Sequence, residues 1–444
     1  MPVTAIVFVI LYFTGIILTL RHPYFGIATY IFEWHNHPPY MWWGKDLPDL
    51  RWSLLVSVVT LISLLINYKK LKPLYKPKYN LIWWLVAMTV WVYFISIFYS
   101  IDPASSFRKA EFFYKLTIQI FLMMFLIRES KHFRVVIWTL ILGVANFGRI
   151  AYQRGSNRYV GVIAPNATEE NAIAAHVAAV FPFFELYFLV GTKWEKIITA
   201  ISLPFILNLI ILANSRAAFV ALIVIAALSL IWIKGRLRWQ VLFGTFIGAL
   251  LVLYLANDQF WQRQNTIDNY KEEGSAVSRI YLWRGAIEMW KDHPMGLGGG
   301  GYQKLVMDYV PELAEIMEEK GAKTVHNTFL LVLVEWGFVG EIIFLGFLVH
   351  IFVILQKVKR RYLQFPFGRF YVDAIALEMG LLAILTAGIF HNRSYSEVIY
   401  WFGAFAVALS NIQVTEIYEL EEEESEEAEE TNELEDLNTN GLIN

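Results

Sequence analysis

Apolar runs of about 17–20 residues recur along the whole chain, the length that carries a helix through roughly 30 Å of hydrocarbon. This feature leaves few folds open. Backbone polar groups in lipid must be satisfied within their own segment or within a closed barrel. No period-two alternation of apolar and polar residues supports a barrel. The expected class is therefore all-α, a polytopic membrane protein. Composition agrees: 57% of the 444 residues are hydrophobic and 17% are charged, against about 25% charged in a soluble domain. There are no cysteines, which excludes disulfides, thiolate metal sites and a cysteine nucleophile.

Twelve spans are expected, at about 4–20, 52–67, 81–99, 111–127, 135–151, 170–190, 197–213, 217–233, 239–256, 325–355, 372–390 and 397–414. The first is followed by Arg21-His22-Pro23 rather than a small-residue cleavage pattern, so it reads as a retained anchor. Residues 24–51 are aromatic and broken by Pro38, Pro39, Gly44 and Pro48; they read as interfacial or re-entrant rather than crossing. Basic residues orient the rest. One set of connections holds 18 Lys and Arg, among them Lys69, Lys70, Lys131, Lys196, Arg236 and Arg360, whereas the short loops of the other set hold nine, Arg21, Arg216 and Arg393 among them. The richer set is expected inside. Both termini are then cytoplasmic.

The chain accordingly divides into helices one to nine (1–256), one large, partly helical periplasmic loop (257–324), helices ten to twelve (325–415) and an acidic tail (416–444). The net charge of −2 hides this division. Glu416 to Asp436 holds 13 of the 39 acids, which leaves 37 basic against 26 acidic residues, or +11, on the rest. A block of like charge with few apolar residues is expected to be disordered.

The candidate chemistry clusters on the expected outer side. Arg216 follows Asn214 and Ser215 and opens an apolar helix. Ser or Asn is a preferred N-cap, free amides at a helix start favour an anion, and a guanidinium grips phosphate through two parallel hydrogen bonds. The ordinary alternative is an arginine snorkelling to headgroups. Arg279 and Trp283 are four apart and share one face of an amphipathic helix, whereas Arg284 points elsewhere, toward solvent. His326 stands where the loop enters the next membrane helix; a histidine titrates near neutrality and accepts a hydroxyl proton. Glu335, nine residues on and roughly half a turn round the helix, is expected to be structural or orienting. His35, His37, His293 and His391 lack the spacing of a zinc site, so no metal is expected. Pro294 to Gly301 is glycine-rich but lacks the Lys-Ser/Thr ending of a phosphate loop, so it reads as a turn.

Asn214-Ser-Arg-Ala-Ala-Phe219, Ser275-Ala-Val-Ser-Arg-Ile-Tyr-Leu-Trp283, Asp292-His-Pro-Met-Gly-Leu-Gly298 and Val325-His-Asn-Thr-Phe-Leu-Leu-Val-Leu-Val-Glu-Trp-Gly-Phe-Val-Gly340 follow one another in this order. Together they resemble the O-antigen ligase and polymerase superfamily of bacterial envelopes. Arg21-His-Pro-Tyr-Phe-Gly26, Glu33-Trp-His-Asn-His-Pro38 and Trp261 to Tyr270 look closer to the O-glycosylation ligases associated with exosortase A systems. The resemblance covers about residues 1–410. It implies a twelve-helix glycosyltransferase of the bacterial inner membrane that moves a glycan from an undecaprenyl-diphosphate donor to an acceptor hydroxyl on the periplasmic face. The acceptor is a lipid, glycan or protein, and neither metal nor cofactor is implied. Carried over, His326 resembles the acceptor-side base, and Arg216 and Arg279 resemble the diphosphate clamps. Arg158 and Asn171 match more loosely, and Thr168-Glu-Glu-Asn171 departs from the Asp-Asn-Asn of many relatives. A polymerase of the same superfamily and a small-anion transporter are the competing readings. A transporter is expected to show broken helices and charges near the midplane in matched halves, and no such repeat is visible.

Overall fold

The structure, a computed structural model, describes residues 2–154, 163–233, 236–255, 274–313, 317, 321–362 and 368–440. Among these the regular secondary structure is helical, apart from a single bridge between Ala164 and Ala167. The helices are α1 (Val3–Arg21), α2 (Tyr24–His35), α3 (Trp52–Asn67), α4 (Ile82–Phe98), α5 (Pro103–Leu126), α6 (Ser130–Arg154), α7 (Glu170–Val190), α8 (Lys193–Leu212), α9 (Arg216–Trp232) and α10 (Arg236–Leu255). After them come α11 (Gly274–Asp292), α12 (Gly301–Tyr309), α13 (Thr328–Tyr362), α14 (Gly368–Gly388) and α15 (Glu397–Asn440). Eight described helices are long and apolar enough to cross a membrane, and two shorter apolar ones, Ile82–Phe98 and Arg216–Trp232, accompany them. Bulky apolar side chains such as Ile10, Leu65, Trp83 and Ile223 face outward, as a lipid-facing surface requires. The starts of several helices are written locally. Asp102 accepts from the Ser105 amide ahead of Pro103, and Thr192 with Glu195 forms a capping box.

The helices run between two ends. At one, the tail end, Glu416 accepts from Ser130 and Lys72 pairs with Glu419 at 2.7 Å. At the other, the loop end, lie α11, α12 and the connections at 213–216 and 389–396. The first helix overturns an expectation. Tyr12 donates to the carbonyl of Trp52 at 2.7 Å, and Ser63 reaches the carbonyl of Thr19, so α1 is parallel to α3. Its start therefore lies at the loop end, and the Arg21-His22-Pro23 turn lies at the tail end, where Tyr24 stacks on His132 at 3.8 Å. From there α2 climbs to Asn36, which accepts from Asn146 at 3.0 Å. Residues 24–35 are thus a helix running from one end of the bundle toward the other, not an interfacial detour, and the two termini lie at opposite ends. Twelve residues rise only about 18 Å, too few for the length criterion that reads spans from sequence.

The tail also departs from expectation. The backbone of α15 stays helical from Glu397 through Glu416 to Asn440, where disorder was expected. Glutamate is a good helix former, and a helix already nucleated by its buried half extends at little cost.

One break inside a helix shapes the loop end. Gly337 in α13 has φ +67°, and a Cβ there would sit 2.4 Å from the Met295 carbonyl. The break releases the carbonyls of Val334 and Glu335 and the amide of Phe338 from their helical partners. The glycine-rich segment takes up all three: Leu297 N donates to Val334 O at 3.0 Å, Gly298 N to Glu335 O at 2.9 Å, and Phe338 N to Pro294 O at 3.1 Å. Released backbone groups need such partners when buried.

Candidate functional site at the loop end

Asn327 caps α13: its Oδ1 accepts from the amides of Phe329 at 3.0 Å and Leu330 at 3.1 Å. Thr328 staples this start to the loop between α14 and α15, donating to His391 O at 2.9 Å and accepting from Arg393 N at 2.8 Å. Asn327 N adds a bond to Asn392 Oδ1 at 3.1 Å. His326 precedes this staple with φ +51°, a left-handed conformation uncommon for a residue with a side chain. Its ring meets that of His391 edge to face at 5.6 Å. Burial first, then the positive charges of Arg279, Lys323 and Arg393, hold its pKa down to about 4. At neutral pH this imidazole is uncharged and has a lone pair to accept a proton.

Arg279 lies in the first half of α11. Trp283, one turn on, anchors that face by donating its indole N–H to Val325 O at 3.0 Å, and Tyr302 of α12 donates to Leu282 O at 3.1 Å. The indole bond ties the Arg279 face of α11 to the residue beside His326. Arg216 begins α9 behind Ser215, whose Oγ accepts from Ala218 N at 3.4 Å. Asn214 before it has φ +48°. Ala217 of α9, Ala175 of α7 and Ala387 of α14 form one small buried cluster, so the Arg216 turn abuts the end of α14 that leads into His391 and Arg393. The N-termini of α7, α9 and α13 all lie at this end, and each brings the partial positive charge of a helix start. Among the described residues, three of the four non-glycine residues with positive φ, Asn166, Asn214 and His326, are gathered here, in keeping with backbone strain concentrating at functional sites.

Asn171 is at the same end, in the first turn of α7. The remaining candidates fall elsewhere. Arg158 lies outside the described residues. Arg284 is 70% exposed and pairs with Glu288 at 3.1 Å along its own helix. Glu335 is about two turns down α13 and does not orient His326. Its Oε1 accepts from Gly300 N at 2.8 Å and its Oε2 from Tyr395 OH at 2.6 Å, with Lys109 3.6 Å above the Tyr395 ring. It therefore pins the glycine run at the start of α12. His35, expected outside, is buried and shares a hydrogen bond with His176 at 3.1 Å, and His37 pairs with Glu33. Among the described residues no three His, Asp or Glu cluster to hold a metal.

Arg393 was counted in the sequence only as an outer-loop base. In the structure it is 6% exposed and acts electrostatically on His326. Burial draws its pKa down to about 10, with Glu169 pulling the other way, so it stays charged at neutral pH. The signal that singled out Arg216, an arginine on the basic-poor side, applied equally to Arg393.

No curated protein matches the chain. Residues 201–345 match the family model described as O-antigen ligase, a stretch that runs from α8 into α13 and takes in Arg216, Arg279, His326 and Glu335. This match supports placing the chain in the O-antigen ligase superfamily, as a membrane enzyme of the ligase or polymerase type.

Proposed function

We propose that the protein transfers a glycan from an undecaprenyl-diphosphate donor to an acceptor hydroxyl on the periplasmic face of the bacterial inner membrane, as a ligase of the kind associated with exosortase systems. The observation that carries this reading is the neutral His326 held among Arg279, Lys323 and Arg393. Those groups suit the two halves of the reaction. The acceptor oxygen attacks the anomeric carbon as His326 takes its proton. The bond between that carbon and the diphosphate oxygen breaks, and the diphosphate leaves with the bonding electrons. Arg216 and Arg279 stabilise the charge that develops on it, and fixed cations at a partly dry site are effective because they need no reorganisation. The family match, which is to an O-antigen ligase domain, supports a lipid-linked glycan as substrate in kind. The loop end then faces the periplasm, where a donor already flipped across the membrane presents its diphosphate.

The test is in cells. Replacing His326 with Ala is expected to leave lipid-linked glycan accumulated and acceptor bare, with transfer down by about 10²–10⁴-fold, the usual contribution of a general base. Normal glycan on the acceptor in that strain would end the assignment. Longer glycans on the same carrier lipid in the wild type, with no separate acceptor modified, would make the enzyme a polymerase.

A further inference from the structure

Arg393 carries a feature that the proposed reaction does not yet use. Its Nε and Nη2 are buried and, among the described residues, neither has a hydrogen-bond partner. These two N–H groups form one edge of the guanidinium, the edge that meets two oxygens of a phosphate or carboxylate side by side. Leaving two such donors of a charged group buried and unmade is costly. The surrounding structure holds the residue there regardless: its amide donates to Thr328, its carbonyl accepts from Ser396 N at 2.9 Å, and a Cβ on Gly388 would sit 3.8 Å from its own Cβ. Glu169 acts on the charge of Arg393 but, among the described residues, makes no hydrogen bond to that edge. The same guanidinium acts on His326, as Arg279 does.

We infer that the open edge of Arg393 binds an oxyanion, specifically one phosphate of a prenyl diphosphate, as a third arginine of the site. The inference rests on the proposed function and extends it to a residue outside the matched family segment, which ends at 345. A multiply charged anion is favoured over a single carboxylate. The same end of the molecule already gathers Arg279, Lys323 and three helix N-termini. Filling the edge would convert two unmade bonds into two charge-assisted ones and would place the leaving group beside the base.

The experiment uses the full-length protein in lipid nanodiscs, with farnesyl diphosphate, farnesyl monophosphate and farnesol as probes. Arg393→Gln is expected to weaken farnesyl diphosphate binding by about tenfold or more, to weaken the monophosphate less and to leave farnesol unchanged. Arg393→Lys keeps the charge but not the two-pronged edge; it is expected to lose diphosphate affinity while its melting temperature holds. That variant decides the matter if the glutamine form does not fold. A merely structural arginine gives the reverse, a lower melting temperature with diphosphate affinity within about twofold of wild type, and that result overturns the inference. If Arg279→Ala loses the diphosphate while both Arg393 variants keep it, the inference fails and the proposed function stands. If the wild type binds farnesyl diphosphate no better than farnesol, both fail.

Discussion

At the scale of residues, the account turns on a histidine that is neutral because it is buried among cations. A base depressed to about 4 stays competent well below neutral pH, so activity is lost only as pH falls through that value. The acid limb of kcat/KM, which reports the free enzyme, is expected near pH 4 rather than near 6.5. Arg279→Ala removes one of the charges that disfavour the imidazolium, so it is expected to raise the His326 pKa and move the acid limb toward neutrality, besides weakening donor use. Rate profiles of both proteins over pH 4 to 8 check this; an unmoved limb, or one near 6.5 in the wild type, would detach His326 from Arg279. The positions of these candidates were readable in the sequence: Arg216 and His326 at or beside helix starts on the side expected to be basic-poor, and Arg279 on the Trp283 face of α11. The environment of His326 was not, since Arg393 comes from a loop 67 positions away and nothing local announces the staple through Thr328.

At the scale of elements, the break in α13 is the joint between the membrane bundle and the loop helices. An ordinary mid-helix Gly→Ala change gains roughly 1 kcal/mol in helix propensity. At Gly337 the positive φ and the Met295 carbonyl 2.4 Å from a Cβ reverse the sign. Gly337→Ala is expected to destabilise the protein by about 1–3 kcal/mol, read as a lower thermal midpoint in detergent; a raised midpoint would show that the break is not required. The eight described helices long enough to cross were readable from apolar run length, and an Asn or Ser N-cap for α9 from residue type, which the structure makes Ser215. Two elements were not. The 12-residue α2 falls below the length by which spans are recognised. The glycine run reads as a turn until its amides are seen to satisfy carbonyls some 37 residues later in the chain. Glu335 belongs with that run: its partners are the Gly300 amide and Tyr395, so its role is to hold the loop helices in place.

At the scale of the whole molecule, antiparallel packing of α1 on α2 places Arg21 at the tail end. The charge tally strengthens in consequence, from 18 against nine to 19 against eight, which supports a cytoplasmic tail end. The absence of cysteine makes any introduced thiol a unique label. With a membrane-impermeant maleimide on intact cells, Val3→Cys and Lys45→Cys are expected to react from outside, and Arg21→Cys and Lys69→Cys only after permeabilisation. External labelling of Arg21→Cys alongside Lys45→Cys would show that α2 does not cross. The central claim, that separate helix starts converge on one anion, is met most directly by a cryo-electron microscopy map of the protein bound to a prenyl diphosphate. The account expects the diphosphate at the loop end in contact with Arg216 and Arg279, with His326 facing the carbon side of the bond to be broken. A diphosphate bound elsewhere, or arginines and histidine opening onto separate chambers, would contradict it.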